Sequence, residues 1–278
     1  MTEVATTRVP AALTIAGSDP SGGAGIQADL KTFTVLGVYG ASVLTALTAQ
    51  STRGVAGILA VPPAFVTLQI ATLADDLTIR AVKTGMLNDR ATVMAVAEAL
   101  RQYELKPVVV DPVMVATSGD MLLDPEAVEA MRTELVPLAD VLTPNLAEAA
   151  RLLDCAIAGN EAEMEAQARA LVELGAKAVV LKGGHGEGAE AVDILLQRGG
   201  APVRLSLPRI VTRNTHGTGC TFAAALAAYL VRGHSVESAA GDAKRFVHNA
   251  LQAGAHLAVG RGSGPVDHLY TMRPHEDE

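Results

Sequence analysis

A mainly parallel α/β sheet with helices on both faces is the fold class the sequence predicts, and three observations predict it. Short apolar runs rich in β-branched residues, bounded by Gly or Pro, alternate with longer amphipathic runs along the whole chain. Strand, helix, strand, helix in that order produces a parallel sheet covered on both sides. The C-terminal ends of the apolar runs gather small, polar and charged residues, and ligands bind beyond that edge in such sheets.

In chain order, Ala12–Gly17 (ALTIAG) is the first predicted strand, and a glycine-rich turn leads from it to a helix over Ile26–Leu36. Ala81–Met86 (AVKTGM) is a strand followed by a helix over Arg90–Tyr103, and Pro107–Pro112 (PVVVDP) a strand followed by a helix over Pro125–Leu135. Asp140–Pro144 precedes helices over Asn145–Leu153 and Glu161–Leu174, and Ala178–Gly184 (AVVLKGG) is a further strand. A helix starts at the loop NTHGTGC and runs to about Leu230, and Ser235 is placed to cap a last helix reaching about Ala253. The predicted strands end in Gly17-Ser18-Asp19, Thr84-Gly85-Met86, Asp111-Pro112, Thr143-Pro144-Asn145 and Lys182-Gly183-Gly184.

Composition narrows the setting. With 278 residues, 49% of them hydrophobic, and no repeat or low-complexity tract, one domain over 1–278 is expected, with 1–10 and 273–278 as flexible tails. Two cysteines, Cys155 and Cys220, cannot build a disulfide framework, and no Cys/His cluster has metal-ligand spacing. A net charge of −8, no basic run, and four Tyr with four Phe argue against a nucleic-acid partner. The uncharged stretches Thr32–Thr52 and Gly54–Ala74 are interrupted by Gly37, Gly40, Ser42 and Gln50 and by Pro62-Pro63, so neither is expected to span a membrane. The start, MTEVATTRVP, lacks the apolar core of a signal peptide, and a cytoplasmic protein is expected.

No lysine follows a glycine anywhere, so a P-loop is absent. Gly23-Ala24-Gly25-Ile26-Gln27-Ala28 fits GxGxxA, but the loop is long for a dinucleotide turn and no acidic residue lies about twenty positions on. A glycine-rich turn shaped for close backbone approach fits better. Cys220 lies at the first turn of its helix, where free backbone amides and the positive dipole end favour anions and are expected to lower a thiol pKa. Asn145-Leu146-Ala147-Glu148 fits an N-terminal cap in which Glu148 reaches back.

Three segments taken together are more specific. GSDPSGGAGIQADLKTF (Gly17–Phe33), DPVMVATSGD (Asp111–Asp120) and NTHGTGCTF (Asn214–Phe222) resemble, in order, the hydroxymethylpyrimidine/phosphomethylpyrimidine kinases of thiamine biosynthesis, which belong to the ribokinase-like superfamily. The resemblance runs from about Ala12 to Tyr270. It implies a ribokinase-like fold and a kinase that uses ATP and Mg²⁺ to phosphorylate 4-amino-5-hydroxymethyl-2-methylpyrimidine and then its monophosphate. A homodimer is expected from the resemblance alone.

The resemblance also implies residue roles. Gly217, Thr218, Gly219 and Cys220 correspond to the anion hole for the transferring phosphate, with Cys220 in the position of the general base. Gln50 corresponds to the residue that reads the pyrimidine edge, and an amide can both donate to a ring nitrogen and accept from the exocyclic amine. Met86, Val113 and Gly17 fall at positions lining the pyrimidine, and Asp29 at a position contacting substrate. The NxxE motif places Asn145 and Glu148 near Mg²⁺ and phosphates, with Asp111 supporting the ion and Lys182 meeting the ATP phosphates. His216 is expected to hydrogen-bond within its loop, and Cys155 to be inert packing. Pyridoxal or pyridoxine kinase is the nearest alternative, since relatives with the same GTGC loop act on vitamin B6. A silent pyrimidine-binding protein would need neither the anion loop, nor NxxE, nor Cys220.

Overall fold

The structure is a computed structural model and describes residues 9–114, 125–184 and 188–273. The expected tails at 1–10 and 273–278, and residues 115–120 of the DPVMVATSGD segment, lie wholly or mostly outside the described residues.

β1 (Ala11–Ser18) leads through the glycine loop into α1 (Gly25–Val35), and β2 (Tyr39–Ser51) turns back as β3 (Gly54–Ala60) before α2 (Pro63–Asp76). β4 (Ile79–Thr84), α3 (Arg90–Gln102) and β5 (Val108–Val110) follow, then α4 (Pro125–Ala130), which runs on through a π turn at Met131–Leu135 and a 3-10 turn at Val136–Leu138. β6 (Val141–Leu142), α5 (Leu146–Leu153), α6 (Glu161–Glu173), β7 (Ala178–Lys182), β8 (Glu190–Gln197), β9 (Val203–Pro208), α7 (Thr218–Val231) and α8 (Val236–Gly254) complete the chain. The nine strands form one sheet in the order β3-β2-β1-β4-β5-β6-β7-β8-β9. The six strands from β2 to β7 are parallel, while β3, β8 and β9 pair antiparallel at the two edges.

Alternation along the strands builds two cores. Leu13, Ile15, Val82, Val108, Val110 and Leu142 point to the face covered by α2, α3, α5 and α6. Ala12, Ala81, Val109, Val141 and Val180 point to the face covered by α1, α7 and α8. α7 is buried without a break from Thr221 to Ala228, and its run of alanines lets the helix axis come close to the sheet.

The predicted class and most βα units are found, and the differences have identifiable causes. β2, β3 and α2 occupy the uncharged stretches for which no elements were expected, because an apolar run without polar punctuation has no readable period. None of the described helices is long and apolar enough to cross a membrane. β8 and β9 were also not expected; they are edge strands carrying Glu190, Asp193, Gln197, Arg204 and Ser206, a composition that reads as loop. The strand predicted over Pro107–Pro112 shortens to three residues and that over Asp140–Pro144 to two, since each ends where the chain leaves the sheet for the site. Asn145 is the N-cap of α5 and not its first residue.

Candidate active site

On the α1/α7 face the sheet changes character two residues beyond its apolar row. Thr14, Lys83, Asp111, Thr143 and Lys182 follow Ala12, Ala81, Val109, Val141 and Val180, so that a greasy rear gives way to a polar front at the C-terminal ends of adjacent strands. The row is internally paired. Lys182 Nζ donates to Asp111 Oδ1 at 3.0 Å and Thr143 Oγ1 to the same oxygen at 3.3 Å. Lys83 Nζ donates to Asp29 Oδ2 at 2.9 Å, and Thr14 Oγ1 to that oxygen at 2.6 Å.

The first turn of α7 lies over this front, as the helix packs across β1, β4 and β5. Gly217 is its N-cap at φ 78°, and a Cβ there would overlap the carbonyl oxygen of Gly23, so only glycine can join the two loops. At Gly219 a Cβ would stand 3.3 Å from Lys182 Nζ and 3.8 Å from Asp111 Oδ2. The first turn of α7 therefore rests directly on a paired lysine and carboxylate. Helix geometry leaves the first amides of α7 without intrahelical acceptors, and that of Thr218 reaches back to Thr215 O at 3.3 Å.

The expected depression of the Cys220 thiol is not what this geometry produces. Burial pushes the thiol up, to about 11; the Lys83 ammonium and a backbone hydrogen bond from Gly25 oppose this, while Asp29 and Asp111 add to it. Desolvation by the groups packed around the sulfur outweighs the helix terminus, although the residue as a whole is only half-buried. Asp29 likewise departs from its expected substrate contact: it is fully buried, tied to Lys83 and Thr14, and its Oδ1 has no hydrogen-bond partner among the described residues. Its charge is paired with Lys83 inside the fold. Burial alone would lower the Lys83 ammonium, but Asp29, with Cys220 and Asp111, holds it above its ordinary value.

Beside Lys182, Asn145 accepts from Glu148 N at 2.9 Å while Glu148 Oε2 accepts from Asn145 N at 2.8 Å, a complete capping box. Burial raises the Glu148 carboxyl to about 7, with Lys182 opposing and Asp111 reinforcing. A cavity of about 770 Å³ opens against Asn145, Glu148 and Met114. Among the described residues no cluster of three or more His, Cys, Asp or Glu could hold a metal. A hydrated Mg²⁺ needs only one or two protein carboxylates alongside phosphates and water, and two carboxylates close together favour a cation between them. Asp111 and Glu148 fit that description.

Toward the other edge of the sheet, Met86 Sδ lies 3.2 Å from where a Cβ on Gly17 would stand, and the Met86 carbonyl is held by Thr45 Oγ1 at 2.6 Å. Thr48 Oγ1 donates to Ser18 O at 2.8 Å and lies 3.1 Å from Gln50 Oε1, which links β1 to the bulge at Ala49-Gln50. Gln50 lines a cavity of about 260 Å³ with His216, Gly262 and Ser263. Val113 is half-buried two residues past Asp111, its N–H on the Asp111 carbonyl. Cys155, expected as inert packing, is instead exposed and lines the same cavity as Asn145 and Glu148.

Lys83 and Asp19 were not singled out from sequence. The signal for Lys83 was present as a lysine inside the apolar run AVKTGM, which needs a buried counter-charge. Asp19 was hidden as one polar residue of a polar loop. His216 does hydrogen-bond, reaching across to Asp19 of the glycine loop.

The phosphomethylpyrimidine kinase family pattern matches residues 19–267. The hydroxymethylpyrimidine/phosphomethylpyrimidine kinase of Rhizobium meliloti (strain 1021) is 55% identical over 259 residues, covering 93% of this chain and 97% of that protein. Among solved structures, the pyridoxal kinase from Staphylococcus aureus in complex with AMP-PCP and pyridoxal superposes with a TM-score of 0.87 at 35% identity, covering 96% of both chains. The phosphomethylpyrimidine kinase from Clostridium difficile 630 superposes with a TM-score of 0.77 at 40% identity, covering 88% of this chain and all of that one. The polar front, the glycine-capped helix above it and these likenesses agree: the chain belongs to the phosphomethylpyrimidine kinase family.

Proposed function

We propose that this chain is a single-domain, ATP-dependent kinase that phosphorylates the hydroxymethyl group of 4-amino-5-hydroxymethyl-2-methylpyrimidine and then the resulting monophosphate, yielding the diphosphate for thiamine biosynthesis. The observation that carries the reading is the α7 first turn seated on the Lys182–Asp111 pair with Glu148 alongside, which sets free amides and a lysine next to two carboxylates suited to a phosphate-bound cation. The amides of Gly217, Thr218 and Gly219 take up the charge that spreads over the phosphoryl oxygens, and Lys182 neutralises it from below. Gln50 reads the aminopyrimidine edge, and Gly17, Met86 and Val113 flank the ring. Asn145, Asp111 and Glu148 would hold Mg²⁺, which supplies charge neutralisation on the phosphates when bound.

In the first step the substrate hydroxyl oxygen bonds to the γ-phosphorus, the bond from that phosphorus to the bridging oxygen of ADP breaks, and Cys220 Sγ takes the hydroxyl proton. Burial keeps the thiol largely protonated at pH 7, and the Lys83 ammonium is the largest of the influences that favour the thiolate. In the second step the nucleophile is already ionised and no proton moves. The reading includes a homodimer, which the exposed Leu59 of β3 and Phe65 and Leu68 of α2 would suit.

The likeness to a pyridoxal kinase favours one second reading, that pyridoxal or pyridoxine is also phosphorylated. Incubating the purified protein with ATP, Mg²⁺ and each heterocycle separates the two. Two ADP per aminopyrimidine and slower release with pyridoxine are expected. ADP release with pyridoxine alone would replace the main reading, and release with neither would reject both.

A further inference from the structure

Asp19 and His216 have no assignment in the mechanism above, yet three segments of chain meet at them. The Asp19 carboxylate is 2% exposed and gathers the glycine loop around itself: it accepts from Ser21 N at 2.9 Å, Ser21 Oγ at 2.7 Å, Gly23 N at 3.1 Å and Ala24 N at 2.8 Å. His216 Nε2 lies 2.8 Å from Asp19 Oδ2, and these contacts hold the carboxyl far below the usual carboxylate range against the effect of burial. The His216 backbone N–H donates to Gly264 O at 3.0 Å, and its ring lies so close to Gly23 that a Cβ there would overlap it. Arg261 N and Gly262 N in turn bond Thr52 Oγ1, at 3.2 and 3.1 Å, closing the segment onto the β2–β3 turn that follows Gln50.

The next residue after His216 is Gly217, whose left-handed conformation depends on fitting against Gly23. His216 thus touches the Gln50 cavity with one surface, the glycine loop with another, and through the main chain sets the start of the anion loop. Amides that stabilise a transition state must be placed to within a fraction of an ångström, and misplacement by about 1 Å can cost on the order of 10²-fold in rate.

We propose that Asp19–His216 is a positioning pair that fixes the anion loop at Gly217–Gly219 against the glycine loop, and through it ties phosphoryl-transfer geometry to the pyrimidine side of the site. The pair acts through the loop and not on the reacting atoms, and it rests on the reading of Gly217–Gly219 as the phosphoryl hole. Asp19 keeps four other donors when His216 is changed, so the glycine loop retains its own fold.

The test compares His216→Leu, which removes the ring nitrogens, with His216→Gln, whose amide nitrogen can reach Asp19 as Nε2 does. Both phosphoryl transfers are measured, with thermal melting as the folding control. His216→Leu should lower kcat of both steps roughly 10–100-fold with the pyrimidine KM changed less than about threefold, and His216→Gln should recover most of the loss. Equal activity of the two variants would overturn the proposal. So would a loss confined to KM, which would make His216 a substrate reader, or one confined to the alcohol step, which would give it a proton role. Gly219→Ala is assayed in parallel: if it leaves both steps intact, the phosphoryl-hole reading fails, whereas a loss there with normal His216→Leu turnover rejects the positioning pair alone. Should His216→Leu not fold, His216→Asn, polar but too short to reach Asp19, takes its place with the same outcomes.

Discussion

At the scale of single residues, the two chemical steps ask different things of Cys220. A neutral alcohol must lose a proton, for which a base contributes around 10²–10⁴-fold, whereas a phosphate monoester with a second pKa of about 6 is already ionised at pH 7.5. Cys220→Ala should therefore slow the alcohol step strongly and the phosphate step much less in single-turnover measurements. Because the thiol is raised to about 11, the wild-type alcohol step should also climb close to tenfold per pH unit between pH 7 and 9, and lose that slope in Cys220→Ala. Equal slowing of both steps would leave Cys220 only the shaping of the loop. Gln50→Ala should weaken the aminopyrimidine by roughly 1–3 kcal/mol and ATP hardly at all, the usual result of leaving a buried polar edge unpaired. Calorimetric titration with each ligand checks this, and equal losses would remove the specificity role.

At the scale of elements, buried polar groups link α1 and α5 to the sheet. Lys83 and Asp29 are fully buried partners from β4 and α1, so Lys83→Met should destabilise by roughly 3–5 kcal/mol by stranding the Asp29 carboxylate. Adding Asp29→Leu should restore much of that stability in denaturant melts while the alcohol step stays slow, since the cation beside Cys220 is still missing. A double variant as unstable as the single one would show that packing and not charge is at stake. At the start of α5, Glu148 both closes the capping box and faces Asp111. Glu148→Gln keeps the hydrogen-bonding shape and removes the charge. Turnover should fall and the Mg²⁺ requirement rise with melting nearly unchanged. Normal Mg²⁺ dependence with altered melting would return Glu148 to a purely structural role.

At the scale of the whole molecule, the C-terminal segment closes onto α7 through a neutral histidine. His268 is buried, lies 2.9 Å from Thr221 Oγ1, and is lowered to about 4 by burial, with Lys31 adding to the effect and Asp267 opposing. A base whose folded pKa is depressed contributes stability that is complete above its unfolded value of about 6.5 and is lost as pH falls from there toward 4. The loss should reach roughly 3 kcal/mol at the bottom of that window. His268→Gln should flatten the stability profile between pH 6.5 and 4 in urea melts, and an unchanged profile would show that other groups govern acid unfolding.

Much was settled by the sequence alone: the βα alternation, the parallel sheet, the strand-end positions of Asp111 and Lys182, the N-cap at Asn145 and the glycine turn before Cys220. These follow from period, caps and punctuation, which act within a few residues of chain. The resemblance added roles for Gln50, Met86 and Glu148 that no local rule supplies. Only the tertiary structure could decide what depends on partners distant in sequence. Asp29 finds Lys83 from 54 positions away, and Asp19 finds His216 from 197. The Cys220 thiol rises instead of falling because desolvation by residues that the fold packs around it, Asp29 and Asp111 adding to the effect, outweighs the helix terminus.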